Sequence, residues 1–312
     1  MSWINKILKI GQKVQRIVKQ RPSKDEINKS DWTSCCAGPV LKSDLAENLW
    51  VCSICNKHHR ISCIHRFDIF FGKNNYEILD TPAPVEDPLN WTDSRPYKER
   101  LKLARKKTGQ KCGVMIARGS INGINITCGA INFEFMGGSV AMAEGEAIIH
   151  GVQHAIDNKN PFVFFPCGGG QRMHESPFAL SQMARTTLAI NELKSNYLPY
   201  IIVFTDPTAG GITASFASLS DIALAENKDT LIAFSGKRVI QATINEQLPE
   251  NFQRAGRVLE CGFVDLIIDR KDIKNTVGKL LNILLNKNST EVAIEDKNEN
   301  QKDSQQIASV AS

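Results

Sequence analysis

Two runs of four apolar residues, Phe162-Val163-Phe164-Phe165 and Ile201-Ile202-Val203-Phe204, each lead into a glycine-rich turn. A run with no polar residue does not suit a half-solvated sheet, so both read as strands buried on both faces. The first turn, Cys167-Gly168-Gly169-Gly170-Gln171-Arg172-Met173-His174-Glu175, opens a helical pattern that continues through Leu193. The second, Thr205-Asp206-Pro207-Thr208-Ala209-Gly210-Gly211, reads the same way, with a helix completing the unit at 201–219. A repeated strand–turn–helix unit implies a layered α/β domain. Val114 to Ala117 reads as a further strand, Asn122-Gly123 as a hairpin turn, and Ile124 to Phe135 as strand again. Ala143 to Asn158 carries a helical face of Ala147, Ile148, Val152, Ala155 and Ile156. Two short strands at 222–225 and 231–234 and a helix at 271–285 complete the pattern.

The chain has 312 residues, 42% hydrophobic and 23% charged, which excludes collagen-like, wholly disordered and disulfide-scaffold classes. Its net charge of +5 suits a nucleotide-containing cofactor as well as nucleic acid, so charge decides nothing between them. No run of about 18 apolar residues exists, so no transmembrane helix is expected. Four stretches follow. Residues 1–30 form a basic lead, with Ile4, Ile7, Leu8, Ile10, Val14, Ile17 and Val18 at near-helical spacing. It lacks a secretory apolar core and reads as a solvated or partner-docking helix, an organelle-targeting peptide being the alternative. Residues 31–66 form a small module rich in Cys, Trp and His. Residues 67–285 hold the α/β domain, including a basic stretch with Lys98, Arg100, Lys102, Arg105, Lys106 and Lys107. That stretch reads as an exposed helix, or as a contact for a ligand phosphate. Residues 286–312 lose their apolar periodicity and read as a disordered polar tail.

Nine cysteines with no secretion signal, four of them between 35 and 55, argue for metal rather than disulfides. Cys52-Ser53-Ile54-Cys55 is a C-x2-C knuckle, which lets two thiolates hold one tetrahedral zinc from a tight turn. The upstream pair is adjacent, Cys35-Cys36, where a zinc ribbon has C-x2-C. Cys35, Cys36, Cys52 and Cys55 are the candidate ligands, with Cys63, His58, His59 or His65 as substitutes. Four thiolates leave no open position, so such a zinc would be structural.

Other chemistry is less promising. His150 and His154 share a helix face, but Gly151 stands where a metalloprotease needs Glu. Cys167, with His174 seven residues on, could be a nucleophile at a helix start but reads as a small buried residue. No nucleophile elbow, Walker loop or dinucleotide fingerprint follows a strand. The glycine turns remain. Bare backbone lets ligand atoms approach free N–H groups, which can bind phosphate or hold a developing oxyanion.

Several segments together resemble one family. They are Met1-Ser2-Trp3-Ile4, Trp32-Thr33, Asn48-Leu49-Trp50-Val51-Cys52, and Phe133-Glu134-Phe135-Met136-Gly137-Gly138-Ser139. To these add Gly169-Gly170-x-Arg172-Met173-x-Glu175, Thr205-Asp206-Pro207-Thr208-x-Gly210-Gly211 with Ala214-Ser215-Phe216, Arg238-Val239-Ile240, and Leu248-Pro249-x-x-Phe252-Gln253-Arg254. Over residues 1–285 the chain resembles the carboxyltransferase β subunit of bacterial or plastid-type acetyl-CoA carboxylase. The resemblance implies a crotonase-like (ClpP/crotonase) domain carrying an N-terminal zinc ribbon. It implies carboxyl transfer from biotin, borne on a biotin carboxyl carrier protein, to acetyl-CoA, giving malonyl-CoA for fatty acid synthesis. It implies an α2β2 assembly with an α subunit and a biotin carboxylase in the larger complex, in the bacterial cytoplasm or, less well supported, the plastid stroma. The alternatives are a zinc-ribbon nucleic-acid-binding protein, nucleic-acid binding being otherwise a secondary property, and a carboxyltransferase for another acyl-CoA. By this resemblance Gly210 and Gly211 take the oxyanion role, while Gly169, Gly170, Arg172, Gly137 and Gly138 line the acyl-CoA cleft. The departures from the family pattern are the adjacent Cys35-Cys36, Pro166-Cys167-Gly168 before the glycines, Gln171, His174, and the run Val140 to Gly145.

Overall fold

The computed structural model describes residues 32–35 and 38–285. The expected basic helix within 1–30, the candidate ligand Cys36 and the tail 286–312 lie outside the described residues. The chain divides at His59/Arg60 into two compact units.

In the smaller unit, β1 (Trp32–Cys35) and β2 (Gly38–Leu41) pair antiparallel, Trp32 opposite Leu41 and Cys35 opposite Gly38. A short helix, Lys42–Glu47, follows and buries Leu45. The chain then turns tightly at Cys52, whose N–H donates to the Lys57 carbonyl while its own carbonyl accepts from Asn56. Residues 60–66, grouped with this module by sequence, belong to the larger unit, where Cys63–Phe71 is one helix.

The larger unit is built on a seven-stranded sheet. Its strands are β3 (Tyr76–Leu79), β4 (Val114–Ile121), β5 (Ile124–Ile131), β6 (Phe162–Phe165), β7 (Tyr200–Phe204), β9 (Ile222–Ala225) and β11 (Leu266–Ile267). Their order across the sheet is β11-β9-β7-β6-β5-β4-β3. β3, β4 and β5 pair antiparallel, and every strand from β5 to β11 runs parallel to its neighbour. Asn122-Gly123 does form the β4–β5 hairpin, with φ of 51° and 70°, the left-handed pair that a two-residue turn requires. The strand expected to run to Phe135 ends at Ile131, because the Asn132 side chain accepts from the Glu134 N–H and turns the chain.

The apolar runs serve two cores at once. Phe162, Phe164, Tyr200, Ile202 and Phe204 face one side, against the helices Met142–Asp157 and Ser176–Ser195. Val163, Phe165, Ile201 and Val203 face the other, against Cys63–Phe71 and Ile273–Leu284. Period-two alternation within an unbroken apolar run is what a strand covered on both faces needs. The basic stretch is a helix, Tyr97–Thr108, closed by Gly109 in the left-handed conformation. It buries Tyr97, Leu101 and Ala104 against Phe135.

The second repeat departs from expectation. β7 is followed not by a helix but by β8 (Thr208–Ala209), which pairs with β10 (Ile232–Ala233), and then by a single 3-10 turn at Phe216–Ser218. The Thr208 N–H donates to the Leu231 carbonyl at 2.8 Å, which holds the chain extended where a helix would start.

Candidate functional site

β6 and β7 end at the same edge of the sheet, so the turns that follow them meet there. The Gly168 N–H donates to the Pro207 carbonyl at 2.7 Å, and the Ala209 N–H to the Gly168 carbonyl at 3.0 Å. The Thr208 hydroxyl donates to the carbonyls of Pro166 and Thr205. A third segment, Gly137-Gly138, crosses so closely that a Cβ on Gly138 would lie 1.9 Å from the Cys167 carbonyl oxygen. Only glycine permits that approach, and Gly138 also has φ of +65°. The structure thus brings together Gly137, Gly138, Gly169, Gly170, Gly210 and Gly211.

Their N–H groups are not equivalent. The Gly210 N–H donates to the Ala233 carbonyl at 3.0 Å, so it is not free to hold an oxyanion. That corrects the expectation that Gly210 and Gly211 supply the two donors. Among the described residues the Gly137 N–H has no acceptor, and neither have those of Gly170 and Gly211. The last two are neighbours: a Cβ on Gly170 would sit 3.3 Å from the Gly211 nitrogen. The Gly169 N–H reaches the Gly137 carbonyl at 3.3 Å.

Arg172, expected to touch substrate, is buried and engaged. Its guanidinium donates to Glu144 at 2.7 Å, to the Ser139 carbonyl at 2.7 Å, to the Ser139 hydroxyl at 3.1 Å and to the Tyr97 hydroxyl at 3.0 Å. Burial disfavours its charge, but Glu144 and Tyr97 outweigh that and hold it protonated. Glu144 also accepts from the N–H groups of Gly113 and Ala141. Glu175 accepts from the Tyr97 hydroxyl at 2.6 Å and from the Met142 N–H at 2.8 Å. Sequence reading missed Tyr97 and Glu144, whose partners lie far away in the chain. These four side chains form one wall of a cavity of about 490 Å³, whose other walls include Pro82, Pro84, Val85, Leu101 and Phe135.

The remaining candidates are structural. Burial pushes the Cys167 thiol up to about 11, and it points to the Asp206 carbonyl at 3.3 Å. His154 bonds to Thr127 at 2.9 Å, and burial lowers its pKa. His174 stacks on Tyr97 with ring centres 4.9 Å apart. In the smaller unit, the sulfurs of Cys35, Cys52 and Cys55 lie within 4.8 Å of one another, the one such metal-ready group among the described residues. Four sulfurs at about 2.3 Å from a tetrahedral zinc would be about 3.8 Å apart, so the three fit. Backbone N–H groups of Cys55 and Ile54, opposed by burial and helped by the Cys35 and Cys55 thiols, draw Cys52 down to about 7. A thiol so disposed is a ready metal ligand.

A family model, the carboxyl transferase domain, matches residues 89–310. A curated protein of Pelagibacter ubique, acetyl-coenzyme A carboxylase carboxyl transferase subunit beta, is 60% identical over all 312 residues and the whole of its own length. The chain belongs to the family of acetyl-CoA carboxylase carboxyl transferase β subunits. The protein of the same name from Caulobacter vibrioides is 44% identical over 84% of this chain and 86% of its own. Among solved structures, transcarboxylase 12S with methylmalonyl-coenzyme A bound superposes with a TM-score of 0.59 at 20% identity, over 71% of this chain and 41% of that one. A Pseudomonas malonate decarboxylase MdcD–MdcE heterodimer gives 0.55 at 19% identity, over 70% and 85%. These two likenesses establish the fold, the crotonase-like α/β fold of the carboxyl transferases. The β-subunit family is one of biotin-dependent carboxyltransferases, as the sequence resemblance implied.

Proposed function

We propose that this chain, paired with an α subunit, carboxylates acetyl-CoA to malonyl-CoA in the bacterial cytoplasm. Carboxybiotin on a carrier protein supplies the carboxyl group. The chain's part is to hold the thioester and to stabilise the enolate formed when its methyl group loses a proton. Negative charge then develops on the thioester oxygen, and a preorganised N–H donor is worth roughly 2.7–4 kcal/mol there. The observation that carries this reading is the pair of free N–H groups, Gly170 and Gly211, side by side at the carboxyl edge of the sheet. Gly137, Gly138, Gly169 and Gly210 shape the floor of the cleft. No side-chain nucleophile is needed, in keeping with the buried Cys167.

Zinc bound by Cys35, Cys52 and Cys55, with Cys36 as the fourth ligand that the cysteine cluster of the sequence offers, would clamp the knuckle to the β1–β2 hairpin. Metal analysis of the purified chain reads this directly, at one zinc per chain.

The decisive experiment co-expresses the chain with its α subunit and follows carboxyl transfer from malonyl-CoA to biocytin. Gly211→Val is expected to abolish transfer, by at least about a hundredfold, while the complex still forms. The added Cβ would meet Gln171 at 2.8 Å and Met183 at 2.9 Å. Transfer that survives this change would remove Gly211 from the oxyanion role. Failure of any complex to form would overturn the β-subunit reading of this chain's activity.

A further inference from the structure

Arg172 lies two residues beyond Gly170 and spends its donors on the chain itself. It grips Ser139 through both hydroxyl and carbonyl, and so reaches the segment that follows Gly137-Gly138. That segment is already paired with the turn: the Val140 N–H donates to the Gly170 carbonyl at 2.9 Å, and the Arg172 N–H to the Val140 carbonyl at 2.8 Å. Through Glu144 the guanidinium is tied to the first residues of the helix Met142–Asp157 and to Gly113 at the start of β4. Through Tyr97 it is tied to the helix Tyr97–Thr108 and to Glu175 at the head of the next helix. Arg172, Glu144, Tyr97 and Glu175 are all buried, at 3%, 0%, 0% and 4% exposure.

A buried ion pair is a poor way to gain stability, since desolvation cancels most of its attraction. It is a good way to fix geometry, because every lone pair and proton in it demands a partner in one place. Catalysis at an oxyanion donor is unusually sensitive to placement, a displacement of about 1 Å being able to cost a hundredfold. We infer that Arg172, Glu144 and Tyr97 are positioning residues: they clamp the 167–172 turn so that the Gly170 N–H sits in register with that of Gly211. This rests on the oxyanion reading of those two glycines. The cluster acts through the backbone and touches no reacting atom.

The test uses the complex with the α subunit, assayed for transfer from malonyl-CoA to biocytin well below its Tm. Tyr97→Phe keeps the ring and deletes one bond to Arg172 and one to Glu175. It is expected to lower kcat about tenfold at unchanged KM, the pattern of an interaction made only in the transition state. Arg172→Lys keeps the charge but cannot span Ser139, Glu144 and Tyr97 together, and is expected to lower kcat about a hundredfold. Amide exchange at Gly169 and Arg172, whose N–H groups bond the Gly137 and Val140 carbonyls, is expected to quicken in Tyr97→Phe. A wild-type kcat in folded Tyr97→Phe would overturn the inference. So would a raised KM at unchanged kcat, which would make the cluster a substrate contact. If the wild-type complex itself shows no transfer, the carboxyl-transfer reading fails instead, and the exchange rates still decide whether the cluster holds the turn. Should Arg172→Lys fail to fold, Tyr97→Phe decides alone.

Discussion

Behind the turn at 167–175 stands a buried charge cluster to which the turn itself contributes, Arg172 and Glu175 reaching Glu144 and Tyr97. Near the turn at 205–211 the buried cluster belongs to other segments. Glu226, just past β9, takes bonds from Arg270 at 2.7 and 2.9 Å and from Arg66, one of them at 3.2 Å. These bonds join the three side chains to one another, and the Glu226 N–H, bonded to the Phe204 carbonyl, reaches the strand that leads into the second turn. The second turn is held instead by backbone pairing with β10 and by the Thr208 hydroxyl. Two turns that look alike in sequence are therefore held differently: both are paired through their backbones, but only the first is also tied to a buried charge cluster. The lesson is that buried ions near a site need not serve the site. Which bonds reach the turn's own backbone decides the matter.

The largest test of that contrast is Glu226→Gln. Leaving Arg66 and Arg270 without their carboxylate is expected to cost about 3–5 kcal/mol in denaturant unfolding. The kcat of the folded complex should nonetheless stay near wild type, unlike that of Tyr97→Phe. A fall in kcat to match would erase the distinction between the clusters. The same carboxylate gives a pH signature. Burial pushes Glu226 up, but Arg66 and Arg270 outweigh it and hold it well below its ordinary 4.5. Its stabilisation is then complete above pH 4.5, and drains away as pH falls below that value toward its folded pKa. Acid titration of wild type against Glu226→Gln should show the difference between them shrinking only in that acid range.

The smallest effect belongs to Arg60, which bonds the Asp206 carbonyl at 3.0 Å and carboxylate at 3.2 Å while its side chain is 45% exposed. Arg60→Ala is expected to change stability by about 0–1 kcal/mol. A larger loss would mean that the second turn also leans on charge.

Much of this fold was legible in the residues. β6 and β7 were plain because an unbroken apolar run suits a strand covered twice, and Asn122-Gly123 marked its hairpin because few other pairs accept two left-handed conformations. The helix expected after Gly211 was misread because nothing local announces that Thr208–Ala209 will pair with Ile232–Ala233. The site shows the same division. The glycines could be found from their turns. That the Gly210 N–H is taken by Ala233 depends on a contact 23 residues away. Arg172 stood out by its motif, but its partners at 97, 139 and 144 are non-local, so a strut looked like a ligand contact.

The β4–β5 hairpin has a consequence for how the molecule comes into being. It is the one pairing in the large sheet that a two-residue turn closes; each of the other strand pairs joins segments separated by a long stretch of chain. Hairpins close in about 1–10 μs, whereas non-local pairings must first overcome the entropy of a long loop. Residues 114–131 are thus expected to lead assembly, with φ-values near 1, and the glycine turns to trail with values near 0. A polypeptide stalled after the hairpin would hold the scaffold and still have no chemistry, since the parts that would do the work come from strands that have yet to dock.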